Sequence, residues 1–131
     1  MDPRIAATID RCSTASKEGR IRFGDVVATL AAAGVESYWA DYRGAATTYY
    51  LATGDVHATE VDQPHVPIAE AFDAAGVQSA IRGAQRDEVR YPEFVRLTRA
   101  AGCVGYVVWL AGRQVTYFGR RGQMHVERFP D

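Results

Sequence analysis

The chain carries one pattern twice. A shift of 68 residues lays residues 19–61 on residues 87–129 without a gap, and eleven of the 43 aligned pairs are identical. Among them are Arg22/Arg90, Gly34/Gly102, Tyr38/Tyr106, Thr48/Thr116, Tyr49/Tyr117, Gly54/Gly122 and His57/His125. Other pairs keep their kind, such as Ile21/Val89, Phe23/Tyr91, Asp25/Glu93, Tyr50/Phe118 and Val56/Met124. Self-similarity at a fixed interval is the mark of a structural unit used more than once. The whole chain of 131 residues is domain-sized, whereas half of it would bury too little surface to stand alone. We therefore expect one domain over residues 1–131. Its first module is 1–61, its linker 62–66 and its second module 67–131, with the two packed about a pseudo-dyad around one core.

Each copy reads as helix, loop, helix and three strands. In the first, Ile5, Ile9 and Cys12 recur at helical spacing over residues 5–16. Residues 21–23 alternate like a very short strand. A helix over 25–33 stops at Gly34, the residue that accepts left-handed angles past a helix end. Strands follow at 35–43, 47–52 and 56–61. The second copy predicts a helix from 67 to 75, a kink or stop at Gly76 and more helix over 77–86. A short strand at 89–91 comes next, then a helix over 93–101 opened by Pro92, then strands at 104–111, 115–118 and 124–129. The turns are too short for parallel crossovers, so the strands form antiparallel meanders and the class is α+β. Residues 104–111 are apolar on both faces, with Tyr106 and Val108 on one and Val107 and Trp109 on the other. That predicts a strand covered on both sides, more central than its twin, which carries Glu36, Asp41 and Arg43.

A net charge of −1 gives no field to attract nucleic acid or an anionic membrane. No apolar run reads as a leader or a membrane span. A soluble cytoplasmic protein without nucleic-acid or membrane partners is the expectation. Cys12 and Cys103 have neither disulfide nor metal spacing, and Cys103, aligned with Val35, reads as a small buried apolar residue. Arg113, Arg120, Arg121 and Arg128 read as a solvated sheet edge protected by charge.

The chemistry-bearing residues are few. Residues 19–25 have the rhythm of a calcium-loop exit, but Thr14, Ser16 and Glu18 are poor ligand positions and the second copy offers Arg82 and Arg86. Calcium is rejected, and only a short Ile21–Val89 bridge is kept from that comparison. His57 and His125 occupy equivalent strand positions, yet zinc needs three or four protein ligands and no companion spacing exists. No metal or cofactor is assigned, and His65 reads as a solvated linker residue. The repeated aromatics are the stronger signal. Tyr38, Tyr49, Tyr106 and Tyr117, with Asp41, His57 and His125, are the ligand-binding candidates, lining a cleft between the two copies. No nucleophile elbow, phosphate loop, dinucleotide fingerprint or carboxylate pair appears, and no catalytic residue is assigned. The leading expectation is a non-catalytic module that binds a small molecule or a protein. The rival is a small enzyme using His57 or His125 as general acid or base. Homodimerisation through an unpaired sheet edge is the assembly such meanders permit.

The run Ala101-Gly102-Cys103-Val104-Gly105-Tyr106 resembles the YbcV-like family, as do Tyr117-Phe118-Gly119-Arg120 and Met124-His125-Val126-Glu127. Thr48-Tyr49-Tyr50, Gly54-Asp55-Val56-His57 and Ile68-Ala69-Glu70-Ala71-Phe72 extend the likeness over nearly the whole chain. The resemblance implies a small bacterial α+β protein of unknown function. Such proteins sometimes carry the label "phage envelope protein", from which comes a third reading, a phage-related structural subunit. It supplies no catalytic residues.

Overall fold

Asp2 starts the first helix by accepting a hydrogen bond from the Arg4 N–H, with Pro3 presetting the backbone angle. The fold is a computed structural model that describes residues 1–61 and 66–130. The first half comprises α1 (Pro3–Lys17), α2 (Phe23–Ala32), β1 (Val35–Asp41), β2 (Ala46–Leu51) and β3 (Val56–Glu60). The second comprises α3 (Ala74–Gln85), α4 (Tyr91–Ala100), β4 (Cys103–Trp109), β5 (Gln114–Gly119) and β6 (Met124–Arg128). The expected linker lies, apart from Val66, outside the described residues, and so does His65. Among the described residues no helix is long and apolar enough to cross a membrane.

The strands form one antiparallel sheet in the order β3-β2-β1-β4-β5-β6. The two meanders join where β1 pairs with β4, and Trp39 lies opposite Val107. Both strands are thus central, which corrects the expectation that one would be more central than its twin. The helices pack on one face, an α+β arrangement. Between them and the sheet, Ile9, Leu30, Val77, Cys103 and Val108 are fully buried. The other face is open. Trp109 is 41% exposed and Val126 48%, so β4 is covered on one side only. The sequence misleads here because the outward residues are apolar although none of the described residues covers them.

Element bounds recur at the interval of 68. α2 and α4, β1 and β4, β2 and β5, and β3 and β6 begin and end at matching residues. Backbone conformation recurs as well. Ala45 and Arg113, neither of them glycine, have φ of 55° and 56°.

Two local expectations fail. Residues 21–23 and 89–91 are not strands, because Phe23 and Tyr91 already open α2 and α4. Arg22 and Arg90, the residues before each helix, have an extended backbone. No Ile21–Val89 bridge forms. Residues 67–73 are not helical either. They run beside α4, where Ala69 N–H donates to the Arg99 carbonyl (3.0 Å) and Asp73 N–H to the Ala101 carbonyl (2.7 Å). Arg99 and Arg120 clamp this segment through the carbonyls of Val66 (2.6 Å) and Ile68 (2.7 Å). The helix starts later, at the Asp73 cap, whose carboxylate accepts from Gly76 N–H. Gly102 makes the crossing feasible. Its φ is +86°, and a Cβ there would collide with the Ala71 carbonyl.

Candidate functional site

Alternation along each strand sends every second side chain to the helix side. Equivalent positions in six paired strands therefore make a row. His57, Tyr49, Tyr38, Tyr106, Tyr117 and His125 follow one another across β3, β2, β1, β4, β5 and β6. Direct partners in the row are His57/Tyr49, Tyr49/Tyr38, Tyr106/Tyr117 and Tyr117/His125. Ring centroids are 5.3 Å apart for Tyr38–Tyr49, 6.5 Å for Tyr38–Tyr106 and 5.5 Å for Tyr106–Tyr117. The four tyrosines are buried. Asp41 is not in this row. It ends β1, and its carboxylate accepts from the N–H groups of Arg43 and Gly44 (both 3.1 Å), holding the β1–β2 turn.

The centre and one side of the row floor a cavity of about 480 Å³. Tyr38, Tyr106, Tyr117 and Val115 form its base. Ile21, Phe23 and Val26 form one wall, and Ile81, Ala84, Val89, Tyr91 and Phe94 the other. Phe129 and Pro130 close the end beyond β6. A pocket of this size, mostly apolar with a few polar groups, has the form of a small-molecule site. The rim carries charge. Asp87 is held between Arg22 (2.7 Å) and Arg90 (3.1 Å), tying the start of α2 to the start of α4.

The hydroxyls at the base are distinct. The Tyr91 and Tyr106 hydroxyls lie close to one another. Among the described residues the Tyr38 and Tyr117 hydroxyls have no hydrogen-bond partner, yet no side-chain nitrogen or oxygen sealed from solvent lacks one. Both hydroxyls therefore reach open space: Tyr117 lines this cavity alone, and Tyr38 lines a smaller one as well. Burial raises the pKa of Tyr38, Tyr106 and Tyr117 well above the ordinary phenol value, so they meet a ligand as neutral donors and acceptors.

A second cavity, of only about 30 Å³, lies on the other side of the row. Its residues stand 68 positions from residues of the first. Ser13, Ser16, Thr47 and Tyr49 line the small one where Ile81, Ala84, Val115 and Tyr117 line the large one. Val26, Tyr91 and Val61 correspond likewise to Phe94, Phe23 and Phe129. Polarity separates the two. In the small cavity Ser13 Oγ donates to Thr59 Oγ1 (3.1 Å), and both hydroxyls meet Tyr49. In the large one Ile81 replaces Ser13, and Glu127 replaces Thr59. Glu127 is held by Arg82 (2.6 Å), which leaves the Tyr117 hydroxyl free.

His57 and His125 end the row, and neither lines the large cavity. His57 Nε2 is 2.8 Å from Asp10 Oδ1 on α1. His125 Nε2 accepts from the Gln78 amide on α3 (2.7 Å) and lies 4.0 Å from Glu127. Each histidine thus ties an edge strand to the helix above it. Among the described residues no three metal-ligating side chains converge. Sequence reasoning picked out the tyrosines by their repetition but missed the walls. Phe23, Ile81, Ala84 and Phe94 look like ordinary core residues, and only the gap between the helices gives them a cavity to line.

No family model matches the chain. It is similar to an uncharacterized protein of Mycobacterium bovis and to one of Mycobacterium tuberculosis, each 36% identical over 59 residues. The match covers 45% of this chain and 36% of each relative, so the chain spans about a third of the length of these curated relatives.

Proposed function

We propose that this chain is a small-molecule-binding module whose ligand occupies the larger cavity. In this reading two copies of a helical hairpin and meander meet about a pseudo-dyad beside Trp39 and Val107. The matching element bounds and the correspondence of the two cavities support it. One binding site stays open and its counterpart is shut by the Ser13–Thr59–Tyr49 hydroxyls. The ligand has an apolar aromatic or aliphatic body and one hydrogen-bonding group, to match apolar walls over two free phenols. The carrying observation is the cavity of about 480 Å³ with Tyr38 and Tyr117 at its base. Acid–base catalysis by His57 or His125 is less well supported, because an acid or base must reach the reacting group and neither histidine lines the cavity. Membership of the YbcV-like family is part of the same proposal and rests on the motifs quoted above.

Titration with N-phenyl-1-naphthylamine, a neutral apolar fluorophore, tests the reading. One saturable site per chain is expected. Ala84→Trp, which fills the cavity from α3, is expected to weaken binding at least tenfold while the fold is kept. Absence of saturable binding, or equal binding by a folded Ala84→Trp protein, contradicts the proposal.

A further inference from the structure

The open face of the sheet collects apolar side chains that the helix side does not need. The middle row runs Ala58, Thr48, Trp39, Val107, Thr116 and Val126 across all six strands. Among the described residues, five of the eight strongly exposed large hydrophobic residues stand on this face: Tyr50, Val56, Trp109, Met124 and Val126. The two indoles lie along the sheet and do not project from it. Trp39 covers Gly105, where even a Cβ would strike its ring, and meets Phe118 edge-on at 5.9 Å. Trp109 Nε1 donates to Thr116 Oγ1 (3.2 Å) on the neighbouring strand. The result is a flat, ready-made surface. Its charged strand residues, Asp41, Glu60 and Arg128, stand at strand ends, and Asp41 is already spent on its turn.

We infer that this face is an interface with a second copy of the chain, the two sheets stacked face to face. Six strands about 4.8 Å apart and roughly 20 Å long present about 580 Å² per copy, so a stacked pair buries about 1,200 Å², enough for a specific interface. A two-fold interface uses the same patch on both copies and needs a patch that can meet itself. A face with almost no charge meets that condition without setting like charges together. Aligned packing of two twisted sheets, about 10 Å apart, is the usual geometry for such faces. A face of about 580 Å² stands at the upper end of the largest patch, about 300–600 Å², that a typical soluble monomer leaves bare. This inference is independent of the cavity, which lies on the other side of the sheet.

Both tryptophans of the chain are on this face, so their emission reports it directly. Analytical ultracentrifugation of the full chain, with tryptophan emission followed over the same dilution series, is the test. A dimer that dissociates on dilution, with emission moving to the red as it does, is the expected result. Val126→Lys and Met124→Lys, both at strongly exposed positions, are expected to give folded monomers that bind N-phenyl-1-naphthylamine as before. A monomer at the highest concentration reached, or a dimer that persists in both variants with unchanged emission, overturns the inference. The second of these outcomes assigns the contact to a sheet edge.

Discussion

Trp39 and Val107 face each other across the central pair of strands, and 68 residues separate them. That is the same interval that relates the bounds of β1 to β4, β2 to β5 and β3 to β6. On either side of this pair, Tyr38 lies opposite Val108 and Ala40 opposite Tyr106. The cavities flank this point, one of about 480 Å³ and one of about 30 Å³.

The Arg22–Asp87–Arg90 cluster bridges the two halves at the rim of the open cavity. Asp87 also holds a left-handed backbone, with φ of 61°, which Asn tolerates as well as Asp. Asp87→Asn therefore removes the charge and keeps the turn. Its side-chain partner Arg22 is largely exposed, so stability is expected to change by less than about 1 kcal/mol. Stopped-flow release of N-phenyl-1-naphthylamine is expected to quicken several-fold. An unchanged release rate shows that the cluster does not guard the rim.

Burial raises the pKa of Tyr38, Tyr42, Tyr49, Tyr91, Tyr106 and Tyr117 above the ordinary value of 10.0, to about 12 for Tyr49. Below the unfolded value the neutral phenols favour the fold in full. As pH rises past it, the unfolded chain loses protons that the folded chain keeps, so stability falls towards the folded values. Denaturant midpoints are expected to hold steady up to about pH 10 and to drop beyond it. Tyrosinate absorbance from these six rings should appear together with unfolding. Their ionisation in a chain that is still folded contradicts the burial.

Thr98 is fully buried on α4. Its hydroxyl donates to the Phe94 carbonyl (2.8 Å) and so accepts from the Tyr42 hydroxyl (2.8 Å). Thr98→Val keeps the shape and strands the Tyr42 O–H, at an expected cost of about 1–3 kcal/mol. Thr98→Ser should recover most of that in urea denaturation. Equal losses in both variants would trace the effect to packing alone.

Cys103 is fully buried and its thiol is pushed up to about 11 by burial, while Cys12 is raised for the same reason. The thiolate is the reactive form. Iodoacetamide at pH 8 is expected to modify neither in the native protein and both in denaturant. Rapid native labelling of Cys103 contradicts its placement in the core.

The α+β class, the antiparallel meanders and the tyrosine row were legible because period-two alternation and glycine stops are local signals. Tyr38, Tyr49, Tyr106 and Tyr117 could be selected by repetition alone. The late start of α3 was not legible. It depends on the Asp73 cap and on Arg99 and Arg120 reaching carbonyls of a distant segment, which propensity does not encode. Trp109 and Val126 misled because an apolar residue is usually covered, and here none of the described residues covers them. The cavity was illegible for a further reason. Ile81 and Ala84 differ from Ser13 and Ser16 by ordinary substitutions, and only the network around Tyr49 tells which side closes.

The binding site is tested most directly by a crystal structure of the protein soaked with 4-bromophenol, an aromatic body with one hydroxyl. A single anomalous bromine peak per chain is expected between α2 and α3, with the ligand hydroxyl within hydrogen-bond reach of Tyr38 or Tyr117. Bromine absent from that cavity, or seated beside Tyr49 between Ser13 and Thr59, contradicts it.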